Sequence, residues 1–437
     1  MRTILLYTSV ERNFRSTLLG YLYDLQFLEN TKLVVLYEKF CDPILDLLEQ
    51  KKIFPNVIEK IYVGQYDSSS IMNFTSFRKS NLLAKNIINR YKPNLVIVSS
   101  DFHSIFELII CKYSKKSKIN IISIACSNST GKMDLMAKWI ELYSINTKYK
   151  KFNKNIAKYI FTIRKYISHF IIHYLFPVLT GNLPFIGNSS YLLYKGQSGC
   201  RNANFQIVFS EQEKQYFIQS GVQSEKIVII KHPYSNIFTR NIISNLVQNK
   251  NDIDFIILHS AELIGFTNEK LTLINSNERI QINVRILNII VDIFPFSNIY
   301  IKFHPNITLD NLNHLKSRYH SVSNKIVFIE KSIPIEPLLI NSKVVIDLPR
   351  AVSTSLIMNT IINPNSTSIS MNVFNEFQGD YYKNNKSVEY ITSLTQFEDV
   401  LEKLKKISLK KNNQMNYCDN SFDYDSIINF LINKMLI

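Results

Sequence analysis

DFIILHS (residues 254–260) and NIYIKFHPN (298–306) are short runs rich in apolar and β-branched residues, and the predicted helix RIQINVRILNIIVDIF (279–294) lies between them. A strand, a helix and a second strand make up the β-α-β unit, which builds a parallel sheet. The runs are continuously apolar rather than alternating, as expected of strands that helices cover on both faces. This segment therefore predicts an α/β fold with a parallel sheet.

The same alternation continues in both directions along the 437 residues. Downstream, we predict strands at NKIVFIE (324–330), KVVIDLP (343–349) and STSISMN (366–372). Upstream, we predict strands at TILLYTS (3–9), KLVVLYE (32–38), EKIYVGQ (59–65), NLVIVSS (94–100), NIISIAC (120–126), FQIVFS (205–210) and KIVIIKHP (226–233). The polar stretch 234–251 is the predicted linker. This layout predicts two doubly wound, Rossmann-like domains, residues 1–240 and 252–437, facing a ligand cleft as in GT-B proteins.

One segment, residues 149–194, fits neither series of strands. Ile156, Tyr159 and Ile163 recur at helical spacing, with Lys and Arg on the opposite face. No Asp or Glu occurs between Glu141 and Glu211, although the net charge of the chain is +16. We predict a helical insertion in the first domain that rests on an anionic membrane surface. The alternative is an insertion packed on the sheet with a solvated basic face.

Several classes of protein are disfavoured by what the sequence lacks. The five cysteines have no C-x-x-C spacing, so neither a zinc site nor a disulfide framework is predicted. The apolar run at the N-terminus is too short for a signal peptide, and we expect a cytoplasmic protein at the inner face of the cell membrane. Glycine-rich dinucleotide and P-loop signatures are absent, and we predict neither a cofactor nor a metal.

The first predicted site feature is the strand end Lys302-Phe303-His304-Pro305. An ammonium and an imidazole at the end of a parallel strand can neutralise and hydrogen-bond a nucleotide phosphate. His304 can also protonate the departing phosphate oxygen. The alternative is that His304 merely caps the strand before Pro305 ends it.

The second feature is Ser353-Thr354-Ser355 at the start of an apolar helix. Hydroxyl groups and backbone N–H groups at a helix N-terminus form an anion site, although an ordinary N-cap has the same sequence. We expect Glu336, on the preceding short helix, to accept hydrogen bonds from ribose hydroxyls. His259 and Ser260, at the end of the first strand of this domain, are expected to contact donor phosphates.

The order K-x-H-P, E-P-L-L and S-T-S resembles the nucleotide-binding half of bacterial GT-B sialyltransferases and polysialyltransferases. Related capsule enzymes that transfer Kdo or polyol phosphates share a similar Lys-His-Pro strand end. The resemblance implies that His304, Ser353 and Ser355 hold the phosphate of a CMP-linked donor. It also implies metal-independent, inverting transfer of a sialic acid or another nonulosonic acid onto a surface glycan or lipid-linked acceptor.

The general base is less well defined, because the acidic pair followed by Gly in those sialyltransferases has no counterpart here. An inverting transfer needs a carboxylate or histidine near the acceptor hydroxyl. Asp134 and Asp101 follow predicted strands of the first domain, and His103 lies beside Asp101. Each of the two carboxylates is a candidate base. Arg12 and Arg15 are candidates for holding an anionic acceptor.

Other functions remain open at this point. On the same fold, the donor can be UDP-HexNAc, CMP-Kdo or a CDP-polyol, and a UDP-GlcNAc 2-epimerase is a further possibility. From different classes, a basic nucleic-acid-binding protein or a non-catalytic membrane scaffold would also explain the positive charge. No RNP, KH or helix-turn-helix signature supports nucleic-acid binding, and a scaffold leaves the strand-end motifs unexplained.

Overall fold

The structure, a computed structural model, describes most of the chain. It covers residues 2–8, 18–25, 28–38, 42–49, 54–64, 74–99, 105–124, 141–142, 144–145, 148, 151–181, 202–219, 222–230, 253–260, 263, 265–267, 272–304, 307–330, 333, 335–349, 354–376, 382–383, 385–410 and 427–434. The chain forms two compact units, the first comprising Met1–Pro233 with Phe422–Ile437 and the second Tyr234–Ser421.

Unit 1 is built on a seven-stranded parallel sheet with the order β3-β2-β1-β4-β5-β6-β7. Its strands are β1 (Arg2–Thr8), β2 (Thr31–Tyr37), β3 (Val57–Tyr62), β4 (Leu95–Val98), β5 (Asn120–Ile124), β6 (Phe205–Val208) and β7 (Ile227–Ile229). The central strands β1 and β4 are almost wholly buried, which explains their uninterrupted apolar sequences. All seven strands were predicted from the sequence.

The helices of unit 1 cover this sheet. They are α1 (Leu19–Leu25), α2 (Asp42–Glu49), α3 (Phe74–Tyr91), α4 (Ile105–Lys116), α5 (Lys154–Phe170), α6 (Phe176–Leu179), α7 (Glu211–Gln219) and the C-terminal α13 (Ile427–Asn433). In α3, Phe77, Ala84 and Ile88 lie on the buried side at helical spacing, so this helix packs its apolar face on the sheet.

Unit 2 is built on a six-stranded parallel sheet with the order β12-β11-β8-β13-β14-β15. Its strands are β8 (Ile253–His259), β11 (Ile299–Phe303), β12 (Ile326–Ile329), β13 (Ser342–Asp347), β14 (Thr367–Met371) and β15 (Glu389–Ile391), and β9 (Gly265–Phe266) with β10 (Leu273–Ile274) forms a small antiparallel pair. Its helices are α8 (Ser276–Ile293), α9 (Leu309–His320), α10 (Glu336–Ile340), α11 (Thr354–Ile362) and α12 (Leu394–Lys410).

The predicted fold class is confirmed, since both units are α/β with parallel, helix-covered sheets. The C-terminal boundary differs from the predicted 252–437, because α13 belongs to unit 1. The aromatic rings of Phe430 in α13 and Phe205 in β6 pack edge to face, with centroids 5.4 Å apart. The C-terminal helix therefore completes the core of the first unit.

The predicted insertion forms a long helical segment. It consists of α5, a π-helical turn (Ile171–Leu175) and α6, where Pro177 occupies the first turn. Phe176 anchors the far end in the core of unit 1, with its ring centroid 5.2 Å from that of Phe74 and 5.4 Å from that of Phe77. Throughout the described part of the chain, no helix combines the length and apolar character required to span a bilayer.

Candidate functional site

The sheet of unit 2 reverses its winding direction between β8 and β13. From β8 the chain proceeds outward through β11 to β12 and then returns to β13 on the other side of β8. The strand ends are level, because His259 pairs with Phe303 and Leu258 pairs with Asp347. Ligands of open α/β sheets bind outside the carboxyl ends of the strands at such a reversal. We call the carboxyl ends of β8, β11, β13 and β14, with the residues that follow them, the carboxyl edge of unit 2.

Helix α11 begins at this edge, after β13, and is held in place by amide side chains. The buried Asn359 donates from Nδ2 to the hydroxyl oxygens of Ser366 and Ser368, at 3.0 and 2.9 Å. Asn363 Nδ2 donates to the carbonyl oxygens of Leu339 and Ser342, at 3.0 and 2.8 Å. These bonds fasten the C-terminal half of α11 to α10 and to the starts of β13 and β14.

Of the predicted serine-rich motif, Thr354 begins α11 and Ser355 is buried in its first turn. The N-terminus of a helix carries partial positive charge, which favours an anion beside it. Ser260 is also buried, directly after β8. Ser355 and Ser260 thus belong to segments that follow the two strands flanking the reversal.

A buried ion pair that sequence analysis missed ties the carboxyl edge together. Arg279 of α8 donates from Nη1 and Nη2 to the two carboxylate oxygens of Glu376, at 2.9 and 2.8 Å. It also donates from Nε to Leu263 O and from Nη1 to Pro349 O, both at 2.9 Å. The side chains are 0% and 3% exposed. One guanidinium therefore connects the segments that follow β8, β13 and β14.

Gly265 makes room for this ion pair. A Cβ atom at this position would lie 1.9 Å from Glu376 Oε1 and 2.3 Å from Arg279 Nη2. Both distances are far below van der Waals contact. A glycine is therefore needed at the start of β9 as long as the ion pair holds its present position.

The prediction for His259 needs correction, because the structure buries its ring. Its Nε2 atom accepts from the Tyr319 hydroxyl at 2.9 Å and lies 3.2 Å from Asn283 Nδ2, while its Nδ1 atom is 2.7 Å from Ser260 O. Burial, with a smaller contribution from the charge of Arg279, lowers the pKa of His259 to about 4. The ring is therefore neutral, and both its nitrogens are used inside unit 2 rather than turned toward a phosphate.

Lys302 is likewise engaged within unit 2. Its Nζ atom donates to the carbonyl oxygens of Glu330 and Ile333, the latter at 2.7 Å. These contacts hold the segment after β12 against β11, and the phosphate contact of Lys302 stays a prediction. His304 is half-buried, and its backbone N–H donates to His259 O at 3.0 Å, which extends the pairing of β11 with β8. That hydrogen bond fits the strand-capping alternative.

The structure does not test the remaining predicted site residues. Glu336 is the first residue of α10, and its contact with ribose stays a prediction. Asp101, Asp134, His103, Ser353, Arg12 and Arg15 lie outside the described residues. Among the residues that the structure does describe, no three His, Cys, Asp or Glu side chains are grouped so as to hold a metal ion.

The sheet of unit 1 reverses between β1 and β4, and its carboxyl edge holds two buried carboxylates. Glu38, directly after β2, accepts from the hydroxyl of Tyr7 in β1. Glu107 of α4 accepts from the hydroxyl of Ser99, directly after β4, at 3.3 Å. Sequence analysis passed over both acids. For Glu107 the available signal was a single carboxylate inside the apolar run IFELII.

Arg279 also had a recognisable signal. With Asn283, Ile286 and Ile290 it forms the buried side of α8, at spacings of three and four residues. A charged residue on the apolar face of a helix requires a buried partner. The partner, Glu376, is 97 residues away in the sequence, so local patterns do not reveal it.

Comparison with known proteins gives matches at the level of structure alone. No family model matches the chain, and no curated protein matches it. The UDP-GlcNAc 2-epimerase of Methanocaldococcus jannaschii, in complex with UDP-GlcNAc and UDP, is 13% identical over 99% of this chain and 100% of that chain, with a TM-score of 0.53. The UDP-GlcNAc 2-epimerase of Neisseria meningitidis, bound to UDP-GlcNAc, is 10% identical over 94% of this chain and 93% of that chain, also with a TM-score of 0.53.

A third match is the UDP-N-acetylglucosamine 2-epimerase of Rickettsia bellii, 11% identical over 93% of this chain and 88% of that chain, with a TM-score of 0.52. None of these three proteins is a sialyltransferase, so that resemblance stays a prediction. At such low identity the likeness concerns the fold alone. It identifies the fold of this chain as the two-domain, Rossmann-like GT-B type.

Proposed function

We propose that the chain is an enzyme that acts on a UDP-linked sugar, with epimerisation at C2 of the sugar as the first candidate reaction. The observation that supports it most is the similarity of nearly the whole chain to two 2-epimerases whose structures contain UDP-GlcNAc. A fold can carry several chemistries, so the reaction itself has to be tested.

The geometry of unit 2 supports the nucleotide part of this proposal. The start of α11 and the end of β8 flank the reversal of the sheet, where α/β proteins bind nucleotides. A diphosphate placed there gains from the partial positive charge of the helix N-terminus and from its backbone N–H groups. In this proposal Ser260 and Ser355 line the diphosphate site, and the Arg279–Glu376 pair keeps the surrounding segments in position.

The proposal changes the expected donor from a CMP-linked to a UDP-linked sugar. The predicted CMP donor came from a short-motif resemblance. Lys302 of that motif has other partners in the structure, and so has His259, which was predicted from its position at a strand end. His304 remains a candidate at the diphosphate site. Asp101 and Asp134 remain candidates for the group that moves a proton, since epimerisation at a carbon removes a proton and returns it to the opposite face.

Nucleotide binding can be tested by thermal unfolding in the presence of UDP, CMP, CDP and GDP at equal concentrations. A ligand at a hundred times its dissociation constant stabilises the folded protein by about 2.7 kcal/mol. We expect UDP to raise the unfolding temperature most. In the His304→Ala variant, UDP binding should weaken by about 1–3 kcal/mol, the scale of a lost hydrogen bond to a charged group. His314→Ala, an exposed histidine on α9, is the matched control.

The reaction can be followed by NMR after addition of UDP-GlcNAc in D2O. An epimerase forms the C2 epimer and incorporates deuterium at C2, whereas a transferase leaves C2 unlabelled and releases UDP when an acceptor is present. Asp101→Asn and Asp134→Asn should slow turnover while leaving UDP binding nearly intact. Equal stabilisation by all four nucleotides, with no change in UDP-GlcNAc, would refute the proposal.

A second candidate is a glycosyltransferase that uses a UDP-linked donor and a membrane-proximal acceptor. The exposed apolar and basic surface of α5 favours it, because such a surface suits an enzyme whose acceptor lies at a membrane. The same NMR experiment separates the two candidates when a lipid-linked glycan acceptor is added, since UDP release that depends on this acceptor identifies a transferase.

A further inference from the structure

Helix α5 and the residue two positions before it carry a row of bulky apolar side chains that face solvent. Six of them recur three or four residues apart, with exposures between 38% and 68%. They are Phe152, Ile156, Tyr159, Ile163, Tyr166 and Phe170. We call this row the α5 face. Residues at this spacing share one side of a helix, so the α5 face is a continuous apolar stripe.

The α5 face does not result from a loosely attached helix. Ala157 on the same helix is fully buried, and the segment is anchored at its far end by the buried Phe176. The helix is therefore held against unit 1 by other residues while the α5 face points away. A contiguous exposed apolar surface on a soluble unit marks a binding surface.

Helix α5 contains lysines and an arginine but no acidic residue. Lys151, Lys154, Lys158 and Arg164 are exposed on or beside the helix, and no acidic residue occurs between Glu141 and Glu211. Lys158 Nζ lies 3.8 Å from Glu141 Oε1, and such ion pairs at the surface contribute little to stability. A helix that exposes both an apolar stripe and several cations fits a partner that is apolar and anionic at once.

We infer that the α5 face binds the surface of an anionic lipid bilayer, with the helix lying in the plane of the interface. Tyr side chains prefer the headgroup region, where an apolar ring and a polar hydroxyl are both accommodated. Phe side chains suit the apolar face of an interfacial helix. A second copy of the chain is a poorer partner, because pairing two α5 faces would bring two sets of cations together. This inference rests on the exposed residues of unit 1 and is independent of the proposed function.

The dimensions agree with an interfacial helix. At 1.5 Å per residue, the 17 residues of α5 extend over about 25 Å. Leu175 at the end of the π-helical turn, and Val178 and Leu179 beyond it, are exposed apolar side chains as well. The sides of a helix lying flat can insert apolar groups to the depth of the acyl boundary while its cations remain among the headgroups.

The first test is flotation of the full-length protein with vesicles of phosphatidylcholine, with and without phosphatidylglycerol. We expect binding to the anionic vesicles that weakens at about 1 M salt, where the Debye length falls to about 3 Å. The variant with Tyr159→Ser, Ile163→Ser and Tyr166→Ser should bind about a hundredfold more weakly, because partial burial of three bulky side chains is lost. Phe296→Ser, at an 88% exposed phenylalanine in unit 2, is the control and should bind normally.

The second test separates headgroup recognition from apolar partition. Replacing Lys154, Lys158 and Arg164 by Gln should weaken binding to anionic vesicles about a hundredfold at low salt, at about fivefold per cation. The control removes three exposed cations from α3 of the same unit: Arg78→Gln, Lys79→Gln and Lys85→Gln. Equal losses in the two triple variants would overturn the inference, since net charge rather than the α5 face would then determine binding.

Sedimentation velocity without lipid tests whether the α5 face binds a second copy of the chain. A wild-type oligomer that dissociates in the Tyr159, Ile163 and Tyr166 variant would assign the α5 face to a second copy of the chain and overturn the lipid assignment. A folded wild-type protein that ignores anionic vesicles at low salt would overturn it as well. Circular dichroism of each variant establishes that a loss of binding is not a loss of folding.

Discussion

Two buried polar clusters lie one helical turn apart on α8. We call Arg279 and Glu376 the charged cluster, and His259, Asn283 and Tyr319 the neutral cluster. Arg279 is surrounded by a carboxylate and two backbone carbonyls, and it remains charged with no exposed surface. Asn283, four residues later, joins Tyr319 at the ring of His259, which has no anion beside it in this cluster and is neutral. Burial at similar depth therefore preserves a charge where an anion accompanies it and removes the charge where neutral groups do.

This difference bears directly on the candidate site. A histidine at the end of β8 looked suitable for binding a phosphate, but its surroundings keep it uncharged and enclosed. The charged cluster holds three segments of the carboxyl edge together. The start of α11, with its backbone N–H groups, is the part of this edge where we propose that an anion binds.

The largest expected effect comes from removing the anion of the charged cluster. Glu376→Ala should lower the free energy of unfolding of unit 2 by about 3–5 kcal/mol, because the Arg279 charge would stay buried without its carboxylate. Urea denaturation measures the loss. Lys343→Ala, which removes an exposed ion pair with Asp254, is the control and should cost at most about 1 kcal/mol.

A companion variant sharpens this prediction. The double replacement Arg279→Met and Glu376→Leu should recover much of the lost stability, because apolar groups of similar volume require no buried counter-charge. If Glu376→Ala costs no more than Lys343→Ala, the contrast between the two clusters is wrong.

The next effect is pH dependence in the neutral cluster. The pKa of His259 is lowered from its ordinary 6.5 to about 4, so the folded state favours the neutral ring. Its contribution to stability is complete above pH 6.5, declines as the pH falls toward 4, and is lost below that value. The total loss is about 3 kcal/mol, at about 1.4 kcal/mol per pKa unit. Urea denaturation of the wild type should show the free energy of unfolding declining between pH 7 and pH 4. The His259→Gln variant should lack this decline.

His314→Gln serves as the matched variant for the pH experiment, because the side chain of His314 is exposed. It should retain the full decline. A decline of equal size in His259→Gln would mean that other groups cause it.

A smaller effect is expected at the glycine beside the charged cluster. Gly265→Ala should destabilise unit 2 by about 1–3 kcal/mol, the range for added volume in a packed interior, because the new Cβ meets the ion pair. Thermal unfolding measures the shift. In the Arg279→Met and Glu376→Leu background, the loss of stability caused by Gly265→Ala should be smaller. An unchanged loss would mean that the ion pair is not the reason why a glycine is needed.

The smallest effect concerns the hydroxyl of the neutral cluster. Tyr319→Phe removes the donor to His259 Nε2 and the acceptor for Asn283, and it should cost about 1 kcal/mol, the net value of a typical hydrogen bond. Tyr300→Phe, on β11 and half-buried, provides the comparison by urea denaturation. A loss as large as that of Glu376→Ala would show that the neutral cluster matters as much as the charged one.

Much of the fold followed from local patterns. The predicted strands DFIILHS and NIYIKFHPN correspond to Ile253–His259 and Ile299–Phe303, because a helix-covered parallel strand must be apolar on both faces. The carboxyl edge of unit 2 was also predicted, since the alternation of strands and helices places these strand ends together. The position of the C-terminal helix was not, because nothing within residues 427–433 indicates which of two cores it joins.

Within the candidate site, the sequence determined which strand ends meet but not what their side chains contact. Successive side chains of a strand point to opposite faces, so a position near a strand end leaves open whether His259 or Lys302 turns toward the interior, a neighbouring strand or a ligand. The pairing of Arg279 with Glu376 joins residues 97 positions apart, and only the folded sheet brings them within hydrogen-bonding distance. The sequence by itself determined the α/β order, the basic amphipathic character of α5 and the strand ends, because these are local and periodic. The tertiary structure decided which polar groups are buried, which keep their charge and which side of α5 faces solvent, because these depend on contacts between distant segments.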